Sequence, residues 1–330
     1  MADRHIRISL PQQTLELFDA RSNLLATYPV STAKNGAGEQ NGSYCTPRGR
    51  HIIRAKIGGK VGADETTALQ GGRAKDALLA VADDDTARCV ENTVFVRRRP
   101  TGEIWSPELA AQFPNRDWIL TRILWLSGTE PGKNRLGSVD TMRRYIYIHG
   151  SPDTVAMGAP GSIGCVRMRN RDIIELFDRV PVYTPVEIVE FGLTSGTWDE
   201  LGALARPVRE AVFVAEQGVP LALEWDEFDA VSRHVIARDS HGEVIGTGRL
   251  LPDGHIGRMA VLASWRGKNV GCALMERLIA EAARHKLQPL LLHAQVQAVG
   301  FYEKLGFVAE GAGFMEAGIP HRLMRRPAAG

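Results

Sequence analysis

A histidine at the end of an apolar strand and a cysteine sixteen residues after it form the most chemically capable pair in the chain. The segments are Tyr147-Ile148-His149-Gly150 and Gly161-Ser162-Ile163-Gly164-Cys165-Val166-Arg167-Met168. Cysteine acyl chemistry needs a thiol on a turn, an imidazole to take its proton, and backbone N–H groups beside the sulfur. A free thiol, with a pKa near 8.5, is only about 3% thiolate at pH 7. An adjacent imidazole is expected to lower that pKa and make the thiolate dominant. Gly164 lets the backbone turn tightly and aims the Cys165 N–H at a developing oxyanion, a donor worth about 3 kcal/mol. Ser162 is expected to orient either the turn or the imidazole. Arg167, on the same side of an extended chain as Cys165, is a candidate to hold a substrate carboxylate through two hydrogen bonds. Taken singly, Cys165 reads as a small buried hydrophobe and His149 as a satisfied strand histidine. The joint pattern favours chemistry.

These residues need strands to hold them. Ile6, Ile8 and Leu10 alternate, Leu15 to Phe18 follow, and Leu24 to Val30 lead into a polar loop, Ser31 to Pro47. Further strands are expected at His51–Ile53, Thr93–Val96, Trp118–Leu126, Tyr145–Ile148 and Val186–Val189. Residues 58–92 read as an insertion or loop with one helical piece, Ala74 to Ala82. After Cys165, Ile173, Ile174, Phe177 and Val180 share a helix face that Pro181 ends. Arg97-Arg98-Arg99 beside Pro100 reads as a solvated loop edge.

At 330 residues the chain exceeds what one core fills, so two domains are expected. The division is 1–191 and 200–330, with 192–199 as linker. The second half alternates helices and strands: a helix over Arg206–Gln217, a hairpin around His241-Gly242, a strand over His255–Leu262, a helix over Cys272–Lys286. A strand over Pro289–Ala294 and a helix over Val299–Leu305 follow. Residues 197–330 are expected to fold alone.

A net charge of +2 gives no argument for nucleic acid. No stretch approaches the roughly 20 apolar residues that span a bilayer, so no membrane partner is expected. The N-terminus shows no secretory pattern, and the four separated cysteines read as reduced thiols of a cytoplasmic protein. No C-x-x-C pair or H-E-x-x-H helix is present, so no metal is expected.

The first half resembles the L,D-transpeptidase family. His149-Gly150, then Ser162, Gly164, Cys165, Val166 and Arg167, match its catalytic segment, and the likeness covers roughly residues 3–191. Ile163 stands where many members have a second histidine, which leaves His149 as base. The resemblance implies a β-rich, sandwich-like fold with short helices, no cofactor, and attack by Cys165 on the bond between diaminopimelate and D-Ala of a murein tetrapeptide. It implies site roles for Gly150 and Arg167 on the substrate side. With water as acceptor the activity is an L,D-carboxypeptidase of peptidoglycan recycling. With an amine it is a transpeptidase or D-amino-acid exchanger. A third reading is a non-catalytic muropeptide-binding module that regulates the second half of the chain.

Ala263-Ser264-Trp265-Arg266-Gly267-Lys268-Asn269-Val270-Gly271-Cys272-Ala273 joins a strand to a helix, and such a turn leaves N–H groups that suit a pyrophosphate. The same loop also fits a plain tight turn. The stretch resembles motif A of the GNAT acetyltransferase superfamily, Arg266 and Gly271 matching. Asn269 replaces the first glycine, which it can do in a left-handed conformation. The resemblance covers roughly 200–326 and implies an α/β (α+β) fold. It also implies acetyl-CoA held by Met259, Ala260, Val261 and the Arg266–Ala273 loop, and an amine acceptor of small-molecule or peptide kind. Phe301-Tyr302-Glu303 resembles motif B and implies Tyr302 as proton donor to the CoA thiolate. Glu216 and His321 are candidate contacts to the acceptor.

Overall fold

The computed structural model describes residues 4–59 and 89–328. The chain divides into a unit of residues 1–20 and 25–190 and a second of residues 21–24 and 191–330. The helical piece expected at Ala74–Ala82 lies outside the described residues, as does most of 58–92. Among the described residues no helix is long and apolar enough to cross a membrane.

The first unit is strand-rich. Its strands are β1 (Arg4–Ser9), β2 (Thr14–Asp19), β3 (Leu24–Pro29), β4 (Gly49–Ile57), β5 (Thr93–Val96), β6 (Arg99–Ile104), β7 (Ile119–Gly128), β8 (Tyr147–Ser151), β9 (Val166–Arg169) and β10 (Pro185–Val189). They form one sheet in the order β3-β2-β1-β10-β4-β7-β5-β6, with β8 branching from β7 and β9 pairing parallel to β8. A short helix, α1 (Pro107–Gln112), follows β6, and α2 (Asn170–Arg179) follows β9.

Strand alternation divides the faces of β8 and β9. Ile148, Val166 and Met168 enter the main core with Ile6, Ile8, Leu15 and Leu17, and α2 covers that core with Ile173, Leu176 and Phe177. Tyr147 and Cys165 face the other way, into a smaller cluster with Ile57, Phe95, Ile123 and Trp125. The nucleophile candidate thus sits on the face opposite the main core.

His51 on β4 is 1% exposed, with Nδ1 2.9 Å from the Gly49 carbonyl and Nε2 3.1 Å from Thr141 Oγ1. Burial holds its imidazole down to about 4. The unfolded chain takes that proton near pH 6.5, so stability is lost as pH falls from about 6.5 towards 4, by roughly 3 kcal/mol in total. Melting temperatures measured from pH 7 to 4.5 should fall less steeply in His51→Gln than in the native chain. Parallel slopes would remove His51 as the cause.

The second unit has two sheets. One is β11 (Phe191–Gly196), β12 (Arg233–Asp239), β13 (Val244–Leu250) and β14 (Ile256–Val261) in sequence order; the other is β15 (Leu290–Gln295), β17 (Ile319–Arg326) and β16 (Val308–Glu316). An isolated bridge, His255↔Leu291, links β14's start to β15, and the strands part beyond it. Helices α3 (Trp198–Arg209) and α4 (Val270–Arg284) pack on the first sheet, and a short α5 (Val299–Glu303) follows β15.

Residues 192–199 are therefore not a linker. Phe191–Gly196 pairs with β12 along its whole length. Thr197 then caps α3, its N–H donating to Glu200 Oε2 at 2.7 Å, so the helix begins eight residues before the expected Arg206. It passes into a π-helical stretch, Glu210–Glu216. A fragment starting at 197 would lose β11, so the strand pattern of 197–330 is not complete by itself. Helix α4 starts at Val270, two residues early, because Asn269 with φ +61° supplies the left-handed entry.

Candidate functional site

The turn between β8 and β9 is tied down on both sides. The Ser162 N–H donates to Thr32 O at 2.9 Å, the Lys34 N–H to Ser162 O at 3.0 Å, and Thr46 Oγ1 to Gly164 O at 2.9 Å. Ser162 Oγ donates to Cys165 O at 2.5 Å and accepts the Gly164 N–H at 3.2 Å. Of the two roles open to Ser162, the structure gives it the turn. Gly164 has φ +134°, and an added Cβ would lie 3.2 Å from Ile146 Cδ1, so a side chain there meets strain and crowding together. Ile163 is exposed.

Parallel pairing sets His149 opposite Arg167 and places Tyr147, His149, Cys165 and Arg167 on one face. His149 is fully buried, and its Nδ1 lies 2.7 Å from Gly150 O. A carbonyl only accepts, so the ring proton sits on Nδ1. That leaves Nε2 as the lone pair, buried and without a hydrogen-bond partner among the described residues. Burial lowers the imidazole's proton affinity, and Asp117 opposes this.

Cys165 is half-buried. Its sulfur accepts the Tyr147 N–H at 3.4 Å and lies 3.5 Å from Tyr145 O. Burial pushes the thiol up to about 12, with the Tyr147 N–H pulling the other way. Desolvation thus disfavours the charged form of both groups and works against the lowered thiol expected from the sequence.

Two further expectations change. Arg167 Nη2 is bound to Asp117 Oδ1 at 2.5 Å and Nη1 to Gly161 O at 3.1 Å, so its guanidinium is committed internally and is not a free carboxylate clamp. Gly150 is buried against Asn170 Oδ1 and Leu120 O, which an added Cβ would meet at 2.4 and 2.7 Å. Its role is close packing and a carbonyl for His149, not substrate contact.

In the second unit, the loop before α4 combines Gly267 at φ +74° with left-handed Asn269. The Ala273 N–H donates to Asn269 O at 3.0 Å and closes the first turn of α4. An added Cβ on Gly271 would sit in ordinary van der Waals contact with Phe301 at 3.6 Å and Val261 at 3.9 Å. Arg266 donates to both carboxylate oxygens of Glu216 at 2.6 and 2.7 Å and to Val261 O at 3.0 Å. It shapes the loop, and Glu216 is its partner, not an acceptor contact. Ala260 is buried against Val208 and Val212.

Where the two sheets part lies a cavity of about 560 Å³. Met259 and Tyr302 line one part of it; His255, His293, Glu316 and His321 line another. Burial pushes the Tyr302 hydroxyl up to about 12, so it keeps its proton at neutral pH. The sequence-predicted Met259, Tyr302 and His321 thus share one cavity.

Residues 3–188 match the family model of the L,D-transpeptidase catalytic domain, and residues 203–327 match that of the GNAT acetyltransferase domain. The chain belongs to both families. Its second half is 41% identical over 123 residues to the uncharacterized N-acetyltransferase YjcF of Bacillus subtilis, spanning 36% of this chain and 87% of that protein. It is 32% identical over 127 residues to protein ElaA of Escherichia coli, spanning 36% of this chain and 82% of that one. Among solved structures, an acyl-CoA N-acyltransferase from Pseudomonas aeruginosa is similar, with 35% identity and a TM-score of 0.38, over 41% of this chain and all but 1% of that one (99% covered). The GNAT fold implies use of acetyl-CoA.

Several residues of both domains had no signal of their own in the sequence. In the L,D-transpeptidase domain, Arg144 donates to Gly38 O, Glu39 O and Cys45 O at 3.0, 2.8 and 2.6 Å and so holds a loop beside the nucleophile's turn. In the GNAT domain, His293 Nδ1 lies 2.9 Å from Glu316 and His255 Nδ1 lies 3.0 Å from Asp253. The first pair joins residues 23 apart in sequence that only the folded chain brings to the cavity, and the second is a local contact to a turn beside it.

Proposed function

We propose that the L,D-transpeptidase domain is an L,D-carboxypeptidase of murein tetrapeptides, acting in the cytoplasm in peptidoglycan recycling, and that the GNAT domain acetylates an amine. The observation carrying the first part is the His149 Nε2 lone pair, buried and unpartnered on the face that holds the Cys165 thiol. As Cys165 Sγ attacks the carbonyl carbon between diaminopimelate and D-Ala, Nε2 takes the thiol proton. The oxyanion is received by the backbone N–H of Cys165. His149 then returns the proton to the departing D-Ala amine. Water, deprotonated by the same nitrogen, releases the acyl group from sulfur. Incubation with murein tetrapeptide followed by mass spectrometry decides between acceptors: loss of D-Ala supports hydrolysis, whereas a dimer or an exchanged D-amino acid indicates transpeptidation. A carbapenem adduct should map to Cys165. An adduct on Cys45, Cys89 or Cys272, with activity kept in Cys165→Ala, would remove the assignment.

In the GNAT domain the left-handed loop before α4 and the protonated Tyr302 fit acetyl-CoA. The pyrophosphate would rest on N–H groups from Gly267 to Gly271, and the bound molecule supplies the acetyl group. Tyr302 holds a proton at its hydroxyl for the departing sulfur. Tyr302→Phe should keep acetyl-CoA affinity and slow turnover by roughly 10²-fold. Gly271→Leu should abolish binding while the fold persists. Calorimetry on the full chain checks both, and a folded native protein with no heat of acetyl-CoA binding would overturn the cofactor assignment.

A further inference from the structure

We propose that Arg97 and Arg98 form, with the Tyr147 hydroxyl, a carboxylate-binding site for the acyl donor beside Cys165. This rests on the acyl-transfer reading above and adds to it the group that recognises the substrate's charge.

The turn joining β5 to β6 leaves Arg97 and Arg99 exposed, as the run Arg97-Arg98-Arg99 first suggested, and half-buries Arg98. It lays two of them on aromatic rings. Arg98 Cζ lies 4.2 Å from the Trp125 ring centroid, and Arg97 Cζ lies 5.5 Å from that of Tyr145. Trp125 stacks on Tyr145 at 6.5 Å and meets Tyr147 edge-on at 6.3 Å. The backbone of the same two tyrosines brackets the nucleophile: the Tyr147 N–H reaches Cys165 Sγ at 3.4 Å, and Sγ lies 3.5 Å from Tyr145 O. The sulfur and the two guanidinium groups are therefore joined by one aromatic platform.

Three features make this a binding site and not a decorated surface. First, neither Arg97 nor Arg98 has a carboxylate partner among the described residues, whereas Arg48 and Arg167 each hold one. Second, Tyr147 is 1% exposed, and its hydroxyl has no hydrogen-bond partner among the described residues. A buried donor left unmade is costly, and a ligand that accepts from it recovers that cost. Burial also keeps this hydroxyl protonated, hence a donor. Third, Arg167, the residue first expected to clamp a carboxylate, is occupied by Asp117. Two planar cations and one hydroxyl donor suit a carboxylate. A murein tetrapeptide offers one at its C-terminal D-Ala and another on the diaminopimelate side chain.

The test uses the full chain and three tetrapeptides: native, amidated at the C-terminus, and amidated on the diaminopimelate side chain. D-Ala or D-alaninamide release is followed in the native protein, Arg98→Gln, Arg97→Gln and Arg99→Gln. Arg98→Gln is expected to raise KM about 10- to 100-fold with kcat within about threefold, Arg97→Gln less, and the exposed Arg99→Gln is the control. Amidation of the carboxylate that is bound should cost the native protein a similar factor and cost Arg98→Gln little, because the partner is already gone. That arm identifies which carboxylate it is. Additive losses in both arms, or an unchanged KM in Arg98→Gln, overturn the proposal. A carbapenem, itself a carboxylate, separates the two levels of the argument. If the native protein forms neither an adduct nor D-Ala, the acyl-transfer reading fails and the site with it. If Cys165 is acylated equally fast in native and Arg98→Gln protein, the reading stands and the site is wrong.

Discussion

His149→Ala should slow acylation of Cys165 by roughly 10² to 10⁴, the usual worth of a positioned base. The geometry sets the expectation near the upper end. Burial pushes the thiol up, so the thiolate is scarcer at pH 7 than the about 3% of a free cysteine. Acylation therefore depends on a proton leaving as the sulfur attacks. The Nδ1 contact to Gly150 O leaves Nε2 as the ring's acceptor, and burial keeps the ring neutral below the ordinary range of imidazoles. The rate should hold its value down to lower pH than a free imidazole would allow. Single-turnover mass spectrometry of carbapenem adduct formation across pH measures both points. Ile163 is exposed, so Ile163→His should change the rate less than His149→Ala does. The reverse order would put the base elsewhere, and an unchanged rate in His149→Ala would leave the buried Nε2 without a role.

The parts of the site legible from sequence are those set by local rules. Strand alternation alone places His149 and Tyr147 on one face and Ile148 on the other. The glycine before Cys165 marks a backbone conformation that other residues reach only with strain. What stayed hidden depends on partners remote in the chain. Asp117 lies 50 residues before Arg167, and nothing local says that their ion pair takes the guanidinium out of use. Phe191–Gly196 reads as a polar connector because its partner strand begins some forty residues later. The thiol's proton affinity is set by burial against Ile57, Phe95, Ile123, Trp125 and Tyr147, a cluster drawn from four strands. The family resemblance supplied the expectation that Cys165 is the nucleophile and His149 its base. It did not supply their burial, which belongs to this packing.

The GNAT domain should lose about 3–5 kcal/mol of stability in Arg209→Leu, the range for removing one member of a buried ion pair. Arg209 is 1% exposed. It donates to Glu224 Oε1 at 2.5 Å, to Asp229 Oδ1 at 2.7 Å and to Glu224 O at 2.8 Å. Arg249 binds Asp226 and Asp229 at 2.5 and 2.9 Å, and Arg258 binds Asp226 at 3.0 Å and approaches Glu224 at 3.5 Å. Three cations and three carboxylates close a ring beneath the cavity. Deleting Arg209 leaves Glu224, 2% exposed, with Arg258 as its remaining cation. Burial already raises Glu224's proton affinity, and Arg209 is the main force opposing it. Without Arg209 the folded state should therefore bind a proton that the unfolded state releases near pH 4.3. Stability then falls as pH rises from about 4.3 through the raised folded value, so the variant's deficit should be larger at pH 8 than at pH 5. Denaturant unfolding of the full chain at both values tests this. Because Glu224, Arg249 and Arg258 also line the cavity, Arg209→Leu should weaken acetyl acceptor turnover even where the protein stays folded. A loss below about 1 kcal/mol, or one independent of pH, would mean that the remaining cations suffice and the ring is not a unit.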